Sequence, residues 1–330
     1  MRRLWAIGIL LVMAVGSAFA QRPDAAQRVR TAYQAESRLR LSGVMRTTTV
    51  LQTGEVSSEV VVYRKGGMTR YEYRAPELGG LVLIDRGETL IRLNPATRTA
   101  TVESVHRSPA TVDLVLKNYQ PSLVAREQML GRQVDVVTLK PRRGSGPSRK
   151  MWIDRQTGLV LRTEQYNSAG KLVSRSVYLS VDWNANPEDS LFTVPAGWKQ
   201  VESPVQSERH WEKAELSARL GFTVREPGYV PPGFVLDGFH LVYRPNTLPS
   251  AHIRYVDGLN SISIFEHRCP PGPGRGRGFQ WGRRMGRRGN CEFFTSNEGN
   301  VVVKESSGIR FIVVGDLPEA ELQKVIDSLR

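Results

Sequence analysis

Between Arg149 and Trp183 the apolar residues fall into three strand-like runs, Lys150–Asp154, Leu159–Tyr166 and Leu172–Trp183. Gln156-Thr157-Gly158 separates the first two and Asn167-Ser168-Ala169-Gly170 the last two, each with a glycine free to take the positive φ that closes a turn. In the third run Val173, Val177, Leu179 and Val181 fall on one side, with Arg175 among them. The pattern predicts an antiparallel meander with one wet face. No residue in it reads as a catalyst.

Upstream, Ala25, Ala26, Val29, Ala32 and Tyr33 recur at helical spacing and predict a helix over Pro23–Leu39, with Asp24 placed to suit its dipole. From Arg40 the period becomes two: Leu41, Gly43 and Met45 alternate with Ser42, Val44, Arg46 and Thr48. Further strands are predicted over Glu59–Arg64, Met68–Arg74, Leu81–Asp85, Thr89–Leu93 and Thr99–Val105, punctuated by turn residues. A short helix over Ala110–Tyr119 precedes strands at Leu123–Met129 and Arg132–Leu139. Pro187–Phe192 reads as a short acidic turn.

The polar stretch Gln200–Glu212 reads as a linker. Beyond it come a brief helix at Lys213–Leu220 and strands at Val235–Tyr243, Ala251–Asp257, Ser261–His267, Asn300–Ser306 and Ile309–Val314. A closing helix, Pro318–Leu329, carries Leu322, Val325, Ile326 and Leu329 on one face. The whole is an α+β chain with a large domain over residues 21–199, a linker over 200–212 and a smaller α+β domain over 213–330. A large twisted sheet tends to curl, and helices against its concave face leave either a filled core or an apolar cavity.

The first residues bear on compartment. Arg2-Arg3, the apolar run Leu4–Val15 and the small residues of Ser17-Ala18-Phe19-Ala20 read as a signal peptide over residues 1–20, cleaved after Ala20. The apolar run is short for a membrane span. An exported chain is expected. In an oxidising space the two cysteines, Cys269 and Cys291, would form a disulfide.

Net charge is +14 and the pI about 10.1, which makes acidic partners plausible. Much of the excess sits between those cysteines: Arg275, Arg277, Arg283, Arg284, Arg287 and Arg288, with no acid. Setting these six and Arg2-Arg3 aside leaves +6. Guanidinium groups take phosphate bidentately, and Phe279, Trp281 and Met285 could enter a lipid interface, so one reading is an anion-binding loop for anionic lipid or glycolipid. The other is a solvated loop that only aids solubility. Export argues against nucleic acid as the partner.

The chain resembles the MucB/RseB family. In the amino-terminal part the likeness is carried by Gly131-Arg132-Gln133-Val134-Asp135-Val136, by Met151-Trp152-Ile153-Asp154-Arg155-Gln156-Thr157-Gly158-Leu159 and by Gly170-Lys171-Leu172-Val173. In the carboxy-terminal part it is carried by Val230-Pro231-Pro232-Gly233-Phe234, by Tyr255-Val256-Asp257-Gly258-Leu259-Asn260-Ser261-Ile262-Ser263-Ile264 and by Ile312-Val313-Val314-Gly315-Asp316-Leu317-Pro318. The segment between His267 and Gly299 departs from the family pattern. The resemblance implies a half-open antiparallel β-barrel like that of the lipoprotein carriers LolA and LolB, with helices in its concave face, plus the small domain. It also implies a periplasmic regulator without enzymatic activity, one that binds the periplasmic part of a membrane anti-sigma factor and senses lipid or misassembled envelope components. A LolA-like lipoprotein or lipid carrier is the alternative.

Under that reading Tyr63, Tyr71, Tyr73, Leu83, Leu90 and Trp152 are candidates to line an apolar-ligand cavity, though ordinary core packing would place them similarly. Tyr255, Asp257 and Gly258 are candidates for partner binding. His106, His210, His240, His252 and His267 show no metal-ligand spacing, no Gly-x-Ser-x-Gly elbow is present, and no carboxylate pair stands out for acid–base work. No catalytic residue, cofactor or metal is expected.

Overall fold

The computed structural model describes residues 24–330, apart from 52–53, 106–111, 145, 204–205, 211, 244–247, 270–282, 289–290 and 297–298. The expected signal peptide and His106 therefore lie outside the described residues.

The first helix, α1, spans Ala25–Ala35 and is capped by Asp24, whose carboxylate accepts a hydrogen bond from the Ala26 amide at 3.3 Å. It buries Val29, Ala32 and Ala35. Next come β1 (Arg40–Leu51), β2 (Gly54–Lys65), β3 (Met68–Tyr73), β4 (Val82–Asp85), β5 (Thr89–Asn94) and β6 (Thr99–Ser104). They are followed by α2 (Val112–Asn118), β7 (Tyr119–Met129), β8 (Arg132–Pro141), β9 (Ser148–Asp154), β10 (Val160–Tyr166), β11 (Leu172–Asp182) and β12 (Lys199–Glu202). Tyr119, predicted to end a helix, instead opens β7.

All twelve strands join one sheet in the order β12-β6-β5-β4-β3-β2-β1-β11-β10-β9-β8-β7. Two local meanders are joined where β1 runs antiparallel to β11. The short β12 lies parallel to β6, and the end strands β12 and β7 do not meet, so the barrel is left half-open. Val29 and Ala32 of α1 and Val115 of α2 pack on one face, against Val137, Leu139, Met151 and Ile153. On the opposite face of β3–β6 a 3-10 turn, Asp189–Phe192, lays Phe192 on Val82, Ile84, Ile91 and Leu93.

The alternation predicted for β11 breaks at a bulge. The register slips opposite Val44 and Met45, which pair with Ser180 and Tyr178. Tyr178 is thereby buried and Leu179 turned out to solvent, 37% exposed.

The second unit holds β13 (Gln206–His210), α3 (Lys213–Leu220), β14 (Val235–Tyr243), β15 (Ser250–Val256), β16 (Ser261–Arg268), β17 (Arg283–Arg288), β18 (Cys291–Ser296), β19 (Gly299–Ser306), β20 (Ile309–Gly315) and α4 (Glu319–Asp327). The eight strands run β13-β14-β15-β16-β20-β19-β18-β17. Leu322, Val325 and Ile326 of α4 and Leu216 of α3 cover Leu241, Ile253, Ile264, Phe311 and Val313. The expected linker is not bare chain: its first residues form β12 in the large sheet, and Gln206–His210 forms β13 in the small one.

Candidate functional site

The concave face of the large sheet is partly filled by α1, and a cleft of about 120 Å³ remains between the carboxy-terminal half of that helix and β1, β2, β10 and β11. Ala32, Ala35, Met45, Leu159 and Leu161 supply its apolar walls. Its polar groups are Arg64, Tyr178, Thr163, Ser176 and, on the exposed end of the helix, Glu36. The Nε of Arg64 donates to the Tyr178 hydroxyl at 3.3 Å. Among the described residues no carboxylate lies within ion-pair distance of Arg64. Burial pushes the nearby Tyr71 hydroxyl up from the usual phenol range, and the Arg64 charge pulls against that.

Of the residues expected to line a cavity, Tyr71, Tyr73 and Trp152 belong to one apolar cluster with Leu159, Leu161 and Tyr178, whereas Tyr63 joins another. Along β2, Tyr63 alternates with Val62, and it is Val62 that pairs with Tyr71. Tyr63 therefore lies on the far face, with Val82 and Phe192. Tyr71 and Tyr73 share the concave side with Val60 and Val62, and Leu83 is opposite Tyr71, but neither these nor Leu90 reaches the cleft wall. Trp152 alternates with Met151, which packs with α1, and is buried, 2% exposed, in the cluster that holds Val134, Val136, Leu159 and Leu161. There its Nε1 donates to Glu127 at 2.8 Å, and Lys150 and Arg162 sit 4.5 and 4.3 Å from the ring centroid. The cleft residues Arg64 and Tyr178 escaped sequence reading because a cation closing an alternating run reads as solvent-facing. Only the β1–β11 pairing brings β11 beside that end of β2.

The three candidate partner-binding residues lie instead at a seam between the two sheets. Tyr255 and Asp257 are each 7% exposed. Asp257 accepts hydrogen bonds from the Tyr119 hydroxyl at 2.5 Å and from the Leu259 and Asn260 amides at 2.9 and 2.7 Å. Asn118 donates through Nδ2 to the carbonyls of Gly233 and Asp257, both at 2.8 Å. Gly258 has φ +103°, and a Cβ there would stand 2.8 Å from the Val115 amide nitrogen; Gly233, at φ +100°, is as tight against Asn118. The glycines of two of the family-like motifs thus let the small unit's turns seat on α2 and the start of β7. Burial and the Asp257 charge hold the Tyr119 proton well above the usual phenol range.

Of the arginine loop, Arg275 and Arg277 lie outside the described residues, as do Phe279 and Trp281. Arg283, Arg284, Arg287 and Arg288 belong to β17, the end strand of the small sheet, which among the described residues pairs with β18. The expected disulfide is corrected: Cys269 and Cys291 are free thiols. Cys269 follows β16 and Cys291 opens β18, with β20 and β19 between those strands. Three strand spacings of about 4.8 Å put the two at roughly 14 Å, twice the reach of a disulfide. Cys291 is buried, and its sulfur accepts from Gln323 Nε2 at 3.3 Å.

His252 is stacked on Phe265 at 4.4 Å, bonded to Ser263 Oγ at 3.0 Å and pushed down to about 3 by burial. Among the described residues no group of three or more His, Cys, Asp or Glu is placed to hold a metal, and no helix is long and apolar enough to cross a membrane.

The description "MucB/RseB N-terminal domain" matches residues 83–196. The sigma factor AlgU regulatory protein MucB of Pseudomonas aeruginosa is 28% identical over 148 residues, 44% of this chain, and the match spans 43% of that relative's length. The MucA/MucB complex of Pseudomonas aeruginosa superposes with a TM-score of 0.65 at 18% identity, covering 93% of this chain and 98% of that one. MucB in complex with MucA(peri) gives 0.60 with the same coverage and identity. A crystal structure of MucB gives 0.53 at 17% identity, covering 94% and 98%. At these identities the superpositions establish the fold, which includes both sheets.

Proposed function

We infer that this chain, built on the MucB/RseB plan, is an exported regulator that binds the periplasmic part of a membrane anti-sigma factor. The observation that carries the reading is the extent of the likeness: the match to MucB in its complex with MucA runs through the large sheet and the small unit together, over 93% of the chain. A simple carrier of the LolA type has no need of the second unit. The compartment follows from the amino-terminal sequence, with its basic start, apolar run and small residues before Gln21. The protein works by holding its partner rather than by transforming it, which suits a chain whose polar clusters are spent on packing: Asp257 on the seam, Asp135 on Arg28, and Glu164 on Arg162 and Tyr166.

The test is native mass spectrometry of the mature chain with the periplasmic segment of the single-span anti-sigma factor from the same cell. A complex of fixed stoichiometry, retained through size exclusion, is the expected result. No complex, together with stoichiometric lipid that passes to acceptor vesicles, would replace this reading by that of a carrier.

A further inference from the structure

The hairpin between β7 and β8 ends in an apolar residue where turn chemistry asks for a polar one. Met129 pairs with Arg132, so the loop is the two residues Leu130-Gly131, and both have positive φ, 48° and 74°. A two-residue turn of that kind is ordinarily Asn-Gly or Asp-Gly, because a bulky apolar side chain is strained there. Among the described residues Arg98, Leu130 and Ser307 are the non-glycines with positive φ, and Leu130 is the apolar one. It is 39% exposed, so packing does not explain it either. A strained residue that the fold itself does not use points to a role at the surface. Cations surround it. Arg126 and Arg155, 41% and 40% exposed, share with Arg28 the one carboxylate of Asp135, at 3.3, 3.8 and 2.6 Å. Arg132 lies 3.9 Å over the Trp183 ring and 3.8 Å from Asp154. Four guanidiniums against these two buried carboxylates leave +2 at the tip. The acids set further back are matched: Asp189 is 2.7 Å from Lys65, and Glu127 bonds Trp152, with Lys150 over that ring.

We propose that the β7–β8 tip docks this end of the large sheet on an anionic lipid bilayer, with Leu130 entering the boundary between headgroups and acyl chains and Arg126, Arg132 and Arg155 on the phosphates around it. The tip joins the three elements such a contact needs: an apolar residue that projects, guanidiniums that take phosphate bidentately, and in Trp183 a half-buried indole suited to the interface. A bilayer fits better than a protein partner. A stable protein interface needs about 800 Å² from each side, far more than one leucine ringed by cations offers, whereas a membrane surface asks only for depth and charge. One leucine and two net charges make the contact weak and reversible, a peripheral hold rather than an anchor. The docking surface is separate from the anti-sigma reading, since binding to vesicles is read on this chain alone.

Co-sedimentation of the mature protein with vesicles of phosphatidylcholine, alone or mixed with phosphatidylglycerol, tests this. Binding should require the anionic lipid and weaken with salt. The arginine-rich stretch between Cys269 and Cys291 also favours anionic vesicles, so the tip is read from variants. Leu130→Asn gives the turn its preferred residue and so keeps the fold. It should lower the partition coefficient roughly fivefold, the share of a leucine transfer that its exposed surface represents. Arg126→Gln and Arg155→Gln should each lower it about fivefold, the worth of one basic residue at an anionic surface. Arg28 keeps Asp135 paired in both. Leu78→Asn is the control: Leu78 is equally exposed, but β3 runs from Met68, beside Lys65, to Tyr73 and so places it beyond the opposite end of the sheet. That variant should bind as wild type does. Equal binding to neutral and anionic vesicles, no binding to either, an unchanged Leu130→Asn, or the same loss in Leu78→Asn would overturn the assignment.

Discussion

Glu266 offers a sharp test of how burial sets stability in the small unit. Its side chain is fully buried between Ala251 and Phe311, which flank it across β15 and β20. Its hydrogen-bond donor is the Arg225 amide, 3.2 Å from each oxygen, and the charges of Arg225 and Lys213 help only partly. Burial therefore raises the carboxyl from 4.5 to about 8. The folded chain holds this proton where the unfolded chain has lost it. Stability is then fullest below the unfolded value, falls as pH rises through the window between the two, and levels off above about 8. His252, held neutral at about 3, acts in the opposite direction, but its contribution is complete above pH 6.5. The clean interval is thus pH 6.5 to 8, where one unit is worth about 1.4 kcal/mol and the loss from Glu266 comes to about 2 kcal/mol. Glu266→Gln keeps an oxygen for the Arg225 amide and removes the titration. Urea unfolding followed by circular dichroism at constant ionic strength should show wild-type stability dropping by that amount between the two pH values, and the variant staying nearly level. Equal slopes for the two proteins would refute the assignment of a raised carboxyl to this burial.

Other outcomes follow from the same packing. Ellman titration of native protein purified without reductant should find free thiol, with Cys269 reacting with maleimide before unfolding and Cys291 only after it; a native mass two hydrogens short would refute the separation seen here. Gly258→Ala should cost about 1–3 kcal/mol in urea unfolding, because the left-handed backbone and the close approach to Val115 both resist a Cβ. Asp135→Ala should be more severe, about 3–5 kcal/mol, since it strips Arg28 of the carboxylate 2.6 Å away and leaves a largely buried cation unpaired; wild-type stability in that variant would show the pair to be idle.

The alternation of Leu41, Gly43 and Met45 and the turn glycines at 158 and 170 were enough to place most strands, because a half-buried antiparallel sheet prints its period on the sequence. The helix at the carboxy-terminus was legible for the same reason, with Leu322, Val325 and Ile326 all buried. What failed was anything set by register or by distance. Leu179 and Tyr178 exchange places because of one bulge. Tyr63 and Tyr71 fall on opposite faces because adjacent strands dictate parity, and the cysteines stand apart because two strands that arrive later in the chain insert between them. The role of Asp257 was hidden by its partner Tyr119, 138 residues away, and a Tyr–Asp contact at that separation leaves no local signature.

The pairing of β1 with β11 also dictates an order of events in time. The strands from β2 to β6, and those from β7 to β11, pair with sequence neighbours and can form as each emerges. The join between them waits for Ser174–Asp182 to meet Ser42–Thr49. Until then each half presents a bare strand edge, the kind of surface that captures another chain. The interval before that join is when the chain is most exposed to mispairing, and non-local strand closure of this kind is slow. The residues flanking the bulge at Tyr178 therefore govern yield as much as stability.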